Sequence, residues 1–110
     1  MLVHSQILYY IDIIDFELSS YNVEVNNGDF ARITVTKNPV DSTSVISVKS
    51  NKDGIVASAN NETNTITIVS TQNDIAGTIV VTIGDISKII NVKFGAGSFS
   101  DPILYRYYRF

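Results

Sequence analysis

Residues 77–94 read G-T-I-V-V-T-I-G-D-I-S-K-I-I-N-V-K-F, and their pattern admits one good reading. Ile79, Val81 and Ile83 alternate with Thr78, Val80 and Thr82, Gly84-Asp85 intervenes, and Ile86, Ile90, Val92 and Phe94 resume a period of two. Two such runs joined by Gly-Asp predict a β-hairpin with a II′ or I′ turn, because glycine takes the positive φ those turns need and their twist matches the strands. Gly77 and Gly84 are both read as turn residues. A lone hairpin cannot bury its apolar face, so the rest of the chain must supply a facing sheet.

Upstream, the same period recurs in short pieces. Ile14, Phe16 and Leu18 fall on one face against Asp15 and Glu17; Ser19-Ser20 follows, then Tyr21, Val23 and Val25, which predicts a first strand broken in two. Asn26-Asn27-Gly28-Asp29 is a turn with Gly28 at positive φ. Residues 30–37 alternate Ala31, Ile33 and Val35 with Arg32, Thr34 and Thr36, and stop at Asn38-Pro39, since proline cannot donate to a central ladder. After a polar loop, residues 45–50 place Ile46 and Val48 inward, 55–59 form a short strand, and 65–69 place Ile66 and Ile68 inward. Asn-, Asp- and Gly-containing turns separate them. About seven short strands with no useful helix predict an all-β fold, a single immunoglobulin-like antiparallel β-sandwich with extended N- and C-terminal arms. The domain reading is residues 1–13 as an N-terminal arm or edge strand, 14–94 as the sandwich, and 95–110 as an aromatic tail.

At 110 residues the chain is one domain, long enough to bury roughly 60–70% of its unfolded surface without staples. It has no cysteine, so neither a disulfide framework nor thiolate zinc chemistry is available. A net charge of −3 opposes general nucleic-acid binding, which needs a basic face to release counterions. The opening lacks a basic n-region, and Asp12, Asp15 and Glu17 interrupt the apolar residues before a bilayer could be spanned. The expectation is therefore no export signal, no membrane and no nucleic acid.

Three stretches carry a family resemblance: N-G-D-F-A-R-I-T-V-T-K-N-P at 27–39, I-S-V-K-S-N-K-D-G-I-V-A at 46–57, and A-G-T-I-V-V-T-I at 76–83. Together they resemble the bacterial Ig-like domain of group 2, with its glycine-led second strand ending near proline, its Ser-Asn element before a Val-Ala strand, and its Ala-Gly-Thr start to the penultimate strand. The family usually has tryptophan in its third strand, and aliphatic Val48 stands in that place here. The resemblance spans about residues 14–94. It implies the sandwich fold, and modules of surface adhesins or of tailed-phage virions. A single copy with its own methionine and no visible export route favours the virion reading.

The ends point to docking. Seven of the eleven aromatics lie outside the sandwich: Tyr9 and Tyr10 in the arm, and Phe99, Tyr105, Tyr107, Tyr108 and Phe110 in the tail, where Arg106 and Arg109 are interleaved. A solvated tail is normally poor in such residues, whereas Tyr and Arg anchor interfaces. These nine residues are the expected partner-binding set. Extended, the tail reaches roughly 50 Å, and addition to a partner's sheet edge is the expected mode. The plainer alternative is that the tail covers an edge of its own sandwich and pairs with Q-I-L-Y-Y at 6–10. Val69, Val80 and Ile89 fall on the faces opposite the core, and only a contiguous patch of such residues marks an interface.

Chemistry is thin. His4 is the sole histidine, so no catalytic triad or multi-histidine metal site can be assembled within one chain. Asp53, Asp74 and Asp85 sit in turns, where aspartate usually bonds nearby backbone rather than calcium. Asn61-Glu-Thr63 matches a glycosylation acceptor and is read as a turn. Arg106 and Arg109 among tyrosines would stack on single-stranded nucleic acid only weakly, so a protein partner is preferred. The expectation is a non-enzymatic protein without cofactor or metal, a phage auxiliary capsid protein made in the host cytoplasm. Its partners would be capsid or other virion proteins, or itself. The alternatives are a host-surface glycan-binding or adhesin-type module, and a tail or head-fibre subunit.

Overall fold

The computed structural model describes residues 11–95. They form β1 (Asp15–Leu18), β2 (Asn22–Asn26), β3 (Phe30–Asn38), β4 (Ile46–Ser50), β5 (Ile55–Asn60), β6 (Thr65–Ser70), β7 (Ile75–Ile83) and β8 (Ile86–Gly95). Two four-stranded sheets result, one ordered β1-β3-β6-β5 and the other β2-β8-β7-β4. That division is the immunoglobulin arrangement, with the first strand shared between the sheets.

The hairpin read first from the sequence is β7–β8, in register from Ile83↔Ile86 at the turn to Ile75↔Phe94 at its open end. Gly84 has a φ of 61° and Asp85 has no positive φ, the II′ pattern. Gly77 is not a turn residue: β7 begins two positions earlier, at Ile75, and Gly77 lies within the strand. The reason is steric. A Cβ at position 77 would lie 2.5 Å from Lys52 Cβ, so the glycine gives room for the turn that crosses its face.

The break in the first strand is a change of sheet. β1 pairs antiparallel with β3, whereas β2 pairs parallel with β8 and is the one departure from antiparallel order among the described strands. Residues 19–21 make the crossing and are bonded on both sides of it: Ser19 N–H donates to Thr34 O at 2.9 Å, and Asn91 N–H to Tyr21 O at 2.8 Å. The Tyr21 hydroxyl accepts from Leu18 N–H at 3.3 Å and donates to Glu17 at 3.0 Å, closing the crossing on itself.

Alternation places Phe16, Leu18, Ile33, Val35, Ile66 and Ile68 from one sheet against Ile79, Val81, Ile83, Ile90, Val92 and Phe94 from the other, all buried. Each such side chain contributes about 1.5–3 kcal/mol relative to exposure. Ile14, expected on the same inward face as Phe16, is instead 71% exposed. The chain bends there before β1 begins, which resets the alternation, and Ile13 packs on the core in its place. Val48 packs on the core half-buried.

Lys37 continues the inward face of β3 and is buried. Its ammonium is accommodated because the loop at 39–45 folds over it: Nζ donates to the carbonyls of Ser44 at 2.6 Å and Ser42 at 3.4 Å. That loop is in turn tied to the incoming chain, with Thr43 N–H and Ser42 Oγ both donating to Ile11 O at 2.9 Å. The turn containing Asn61 is likewise fastened, since Asn61 Oδ1 accepts from Ile46 N–H at 2.8 Å and its Nδ2 donates to Ile46 O at 3.4 Å.

Candidate docking surfaces

Strand direction sets which features share an end of the molecule. The incoming chain meets the end of β3, where Ile14 N–H donates to Asn38 O at 2.8 Å, and the β7–β8 turn lies at this same upper pole. The chain leaves at Gly95, whose carbonyl accepts from Asn27 N–H at 2.7 Å, beside the turn leading into the start of β3. A nine-residue strand spans roughly 30 Å. The two ends of the described chain therefore stand at opposite poles, separated by the length of the sandwich. Residues 6–10 and the tail, read from the sequence as candidates to pair with one another, lie outside the described residues.

Tyr9, Tyr10, Phe99, Tyr105, Arg106, Tyr107, Tyr108, Arg109 and Phe110, the expected partner-binding residues, lie outside the described residues, as does His4. What the structure adds is the surface between the two roots. On the outer face of the β1-β3-β6-β5 sheet, Phe30 pairs with Val69 and Val69 with Val56, so three apolar side chains from three strands form one cross-strand row at the lower pole. They are 56%, 38% and 49% exposed, respectively. Above them the face turns polar in register, Arg32–Thr67–Ser58 and then Thr34–Thr65–Asn60. The Arg32 guanidinium lies over the Phe30 ring, 5.5 Å from its centroid.

Of the three aliphatics expected on outer faces, Val69 joins this row, while Val80 and Ile89 pair on the other sheet beside Lys49. Val80 is half-buried and Ile89 exposed. Phe30 and Val56 were not singled out from the sequence, although strand parity puts both outward. What parity lacked was the register that brings three separate strands side by side.

A charged group stands at one flank, where β1 crosses the start of β8. Lys88 Nζ lies 3.3 Å from Asp15 and 3.7 Å from Glu17, donates to Phe16 O, and sits 5.0 Å from the centre of the Phe16 ring. The Phe16 N–H bonded to Asp15, followed by the Lys88 ammonium, holds the Asp15 carboxyl below its ordinary value despite some desolvation. For Lys88, partial desolvation works downward, but the Asp15 hydrogen bond and the nearby Tyr21, Asp15 and Glu17 outweigh it, leaving its pKa raised. The group is a latch between sheets, not an acid–base pair facing a cleft.

Among the described residues, no three His, Cys, Asp or Glu side chains converge as a metal site would need. Asp74 instead exchanges hydrogen bonds with Asn27, its N–H donating to Asn27 Oδ1 at 3.0 Å and Asn27 Nδ2 donating back to Asp74 Oδ1 at 3.2 Å. The Asn61 sequon lies in a turn, as read from the sequence. Among the described residues no helix is long and apolar enough to cross a membrane.

The two packed sheets define a fold class, an immunoglobulin-like β-sandwich. The particular likenesses are to solved S-layer domains. Domains 5–6 of the S-layer protein SbsC superpose with a TM-score of 0.66 at 22% identity, over 78% of this chain and 45% of that one. Domains 4 and 5 of the same protein give 0.63 at 20%, over 76% and 53%. The chain thus spans about half the length of these structures. At that identity the likeness concerns the fold. No family model matches the sequence. No curated protein sequence matches it either.

Proposed function

We propose that this chain is a non-enzymatic structural module of a protein surface assembly, held by contacts at its two poles and outer faces. The observation that carries the reading is the placement of the chain's roots at opposite poles, because arms leaving a rigid sandwich about 30 Å apart address different neighbours. The S-layer likeness supports the class, since those domains belong to a surface layer protein.

Within that class the sequence favours decoration of a virion. The group 2 Ig-like resemblance and the aromatic ends fit a phage auxiliary capsid protein that docks on capsid subunits through Tyr9, Tyr10 and the 95–110 tail. The S-layer likeness favours a second reading, a module of a cell-envelope lattice within a longer protein. Immunogold labelling of gradient fractions with an antibody to this chain separates them. Label on intact particles is expected, and label on envelope fragments would transfer the proposal to the lattice. Label confined to soluble fractions would overturn the structural reading altogether. On particles, a variant ending at Phe94 should lose its occupancy.

A further inference from the structure

The outer face of the β1-β3-β6-β5 sheet carries a shallow concavity next to the Phe30–Val69–Val56 row, lined by Arg32, Asn60, Thr63, Thr65 and Thr67. β3 supplies Arg32, β6 supplies Thr65 and Thr67, and Asn60 and Thr63 stand at the turn from β5 to β6. Register sets Arg32 beside Thr67 and, one step farther up the face, Thr65 beside Asn60. No carboxylate is among the lining side chains.

Several of these side chains are held in place with a polar group still to offer. The Arg32 guanidinium lies over the Phe30 ring and makes no ion pair or hydrogen bond among the described residues. A guanidinium so placed keeps its planar fork of N–H donors, which matches a carboxylate bidentately. Asn60 Oδ1 accepts from Glu62 N–H at 2.9 Å and from Thr63 N–H at 3.2 Å, which leaves Nδ2 as the group it presents. The Thr63 and Thr65 hydroxyls bond to each other at 2.8 Å. One O–H is used in that bond, so the pair retains a donor and free lone pairs, and the Thr67 hydroxyl adds another of each kind.

Such a set calls for a ligand that brings a carboxylate and hydroxyl groups together. Inorganic phosphate would satisfy Arg32 but has little to donate to the threonine lone pairs, and an acidic peptide carries carboxylates with few hydroxyls beside them. A sugar acid has both, and the neighbouring Phe30–Val69–Val56 row gives the C–H face of an adjoining ring an apolar border. The net charge of −3 opposes a densely charged polymer, so the fitting glycan carries its carboxylates among neutral sugars. We propose that this concavity binds an acidic glycan, with Arg32 holding a sugar carboxylate and Thr63, Thr65, Thr67 and Asn60 meeting ring hydroxyls. The site lies within the sandwich and does not rest on the assembly reading.

Titration of the isotopically labelled full chain, followed by NMR, tests it. The probes are sialyllactose and a hyaluronan hexasaccharide, whose acidic sugars accompany neutral ones. Either should saturably shift the Arg32 and Asn60 side-chain signals and the amides of Thr63, Thr65 and Thr67. Lactose, which lacks the acid, should bind at least about tenfold more weakly than sialyllactose. Arg32→Ala should weaken binding of the acidic probe by about as much, and Arg32→Lys should recover little, since an ammonium lacks the fork. Thr67→Val keeps shape and strand preference while removing a hydroxyl, and should weaken binding several-fold; it decides the matter if Arg32→Ala does not fold. No saturable shift with either probe, equal binding of lactose, or shifts centred elsewhere would overturn the proposal. A glutamate peptide that moves the same signals as strongly as sialyllactose would make this an acidic-peptide site and overturn the glycan assignment.

Discussion

Gly77 offers a test in which two ordinary expectations oppose each other. Replacing glycine by alanine within a strand restricts the unfolded chain and normally stabilises by about 0.4–1 kcal/mol where the conformation allows it. Here the added methyl would stand 2.5 Å from Lys52 Cβ, 3.1 Å from Lys52 Cγ and 3.3 Å from Ile55 Cδ1. The nearest of these is the root of a side chain, so relief requires movement of the 51–54 backbone. That backbone is fastened to β7: Asn51 N–H donates to Thr78 O at 2.9 Å and Asn51 Nδ2 to Thr78 Oγ1 at 3.1 Å. Ser50 Oγ also closes on Lys52, donating to its carbonyl at 3.0 Å and accepting from its N–H at 3.2 Å. Overpacking of this kind costs about 1–3 kcal/mol, which exceeds the entropic gain. Gly77→Ala is expected to be destabilised by about 1–2 kcal/mol net. In a domain of this size that is a Tm lower by about 4–8 °C per kcal/mol.

A double-mutant cycle in urea makes the argument specific. Lys52→Ala removes Cγ, 3.1 Å away, but keeps the offending Cβ at 2.5 Å, and should recover only a small part of the cost of Gly77→Ala. Lys52→Gly removes it and should recover most of that cost. A Gly77→Ala variant as stable as the parent, or equal rescue by Lys52→Ala and Lys52→Gly, would refute the steric account.

The Asp15–Lys88 latch gives stability a pH dependence with two limbs. Asp15 is lowered from 3.8 in the folded chain, so its contribution is present above that value and is lost as pH falls through the folded pKa. Lys88 is raised from 10.5, so its contribution is present below that value and is lost as pH rises through the folded pKa. In thermal melts Asp15→Asn should flatten the acid limb, whereas Lys88→Met should flatten the alkaline limb and reduce the acid limb only in part, because the Phe16 N–H bond to Asp15 remains; an acid limb as steep in Asp15→Asn as in the parent would dismiss the latch. The hairpin's two faces should also separate: Ile79→Ala, fully buried, should cost about 2–5 kcal/mol. Ile89→Thr, 53% exposed on the opposite face, should stay within about 0.5 kcal/mol of the parent by denaturant titration. Similar losses for both would mean that the outer face of β8 is covered.

Much of the fold was legible because its signals are local. Period-two alternation decided what Ile33, Ile66, Ile79 and Val92 do, and Gly28 and Gly84 marked turns through a φ that other residues avoid. The break at Ser19-Ser20 was visible too, as a lapse in the alternation. Its meaning was not, since nothing in residues 14–26 states that β1 and β2 join different sheets, or that β2 lies parallel to β8. Ile14 was misplaced because a single bend shifts parity for every residue on one side of it. Gly77 was misread because its partner, Lys52, is distant in sequence and only the packed fold brings the two together.

The docking surface divides in the same way. The sequence alone established an all-β domain with an apolar core, little equipment for catalysis, and aromatic ends unlike solvated tails, because composition and alternation do not depend on which strands are neighbours. Tertiary structure alone decided that Phe30, Val69 and Val56 form one row, that Arg32 lies over Phe30, and that the chain enters and leaves at opposite poles. Those facts are relations between strands, fixed by register and by the order in which strands join a sheet. Each results from burying every inward face at once, and no single segment specifies it.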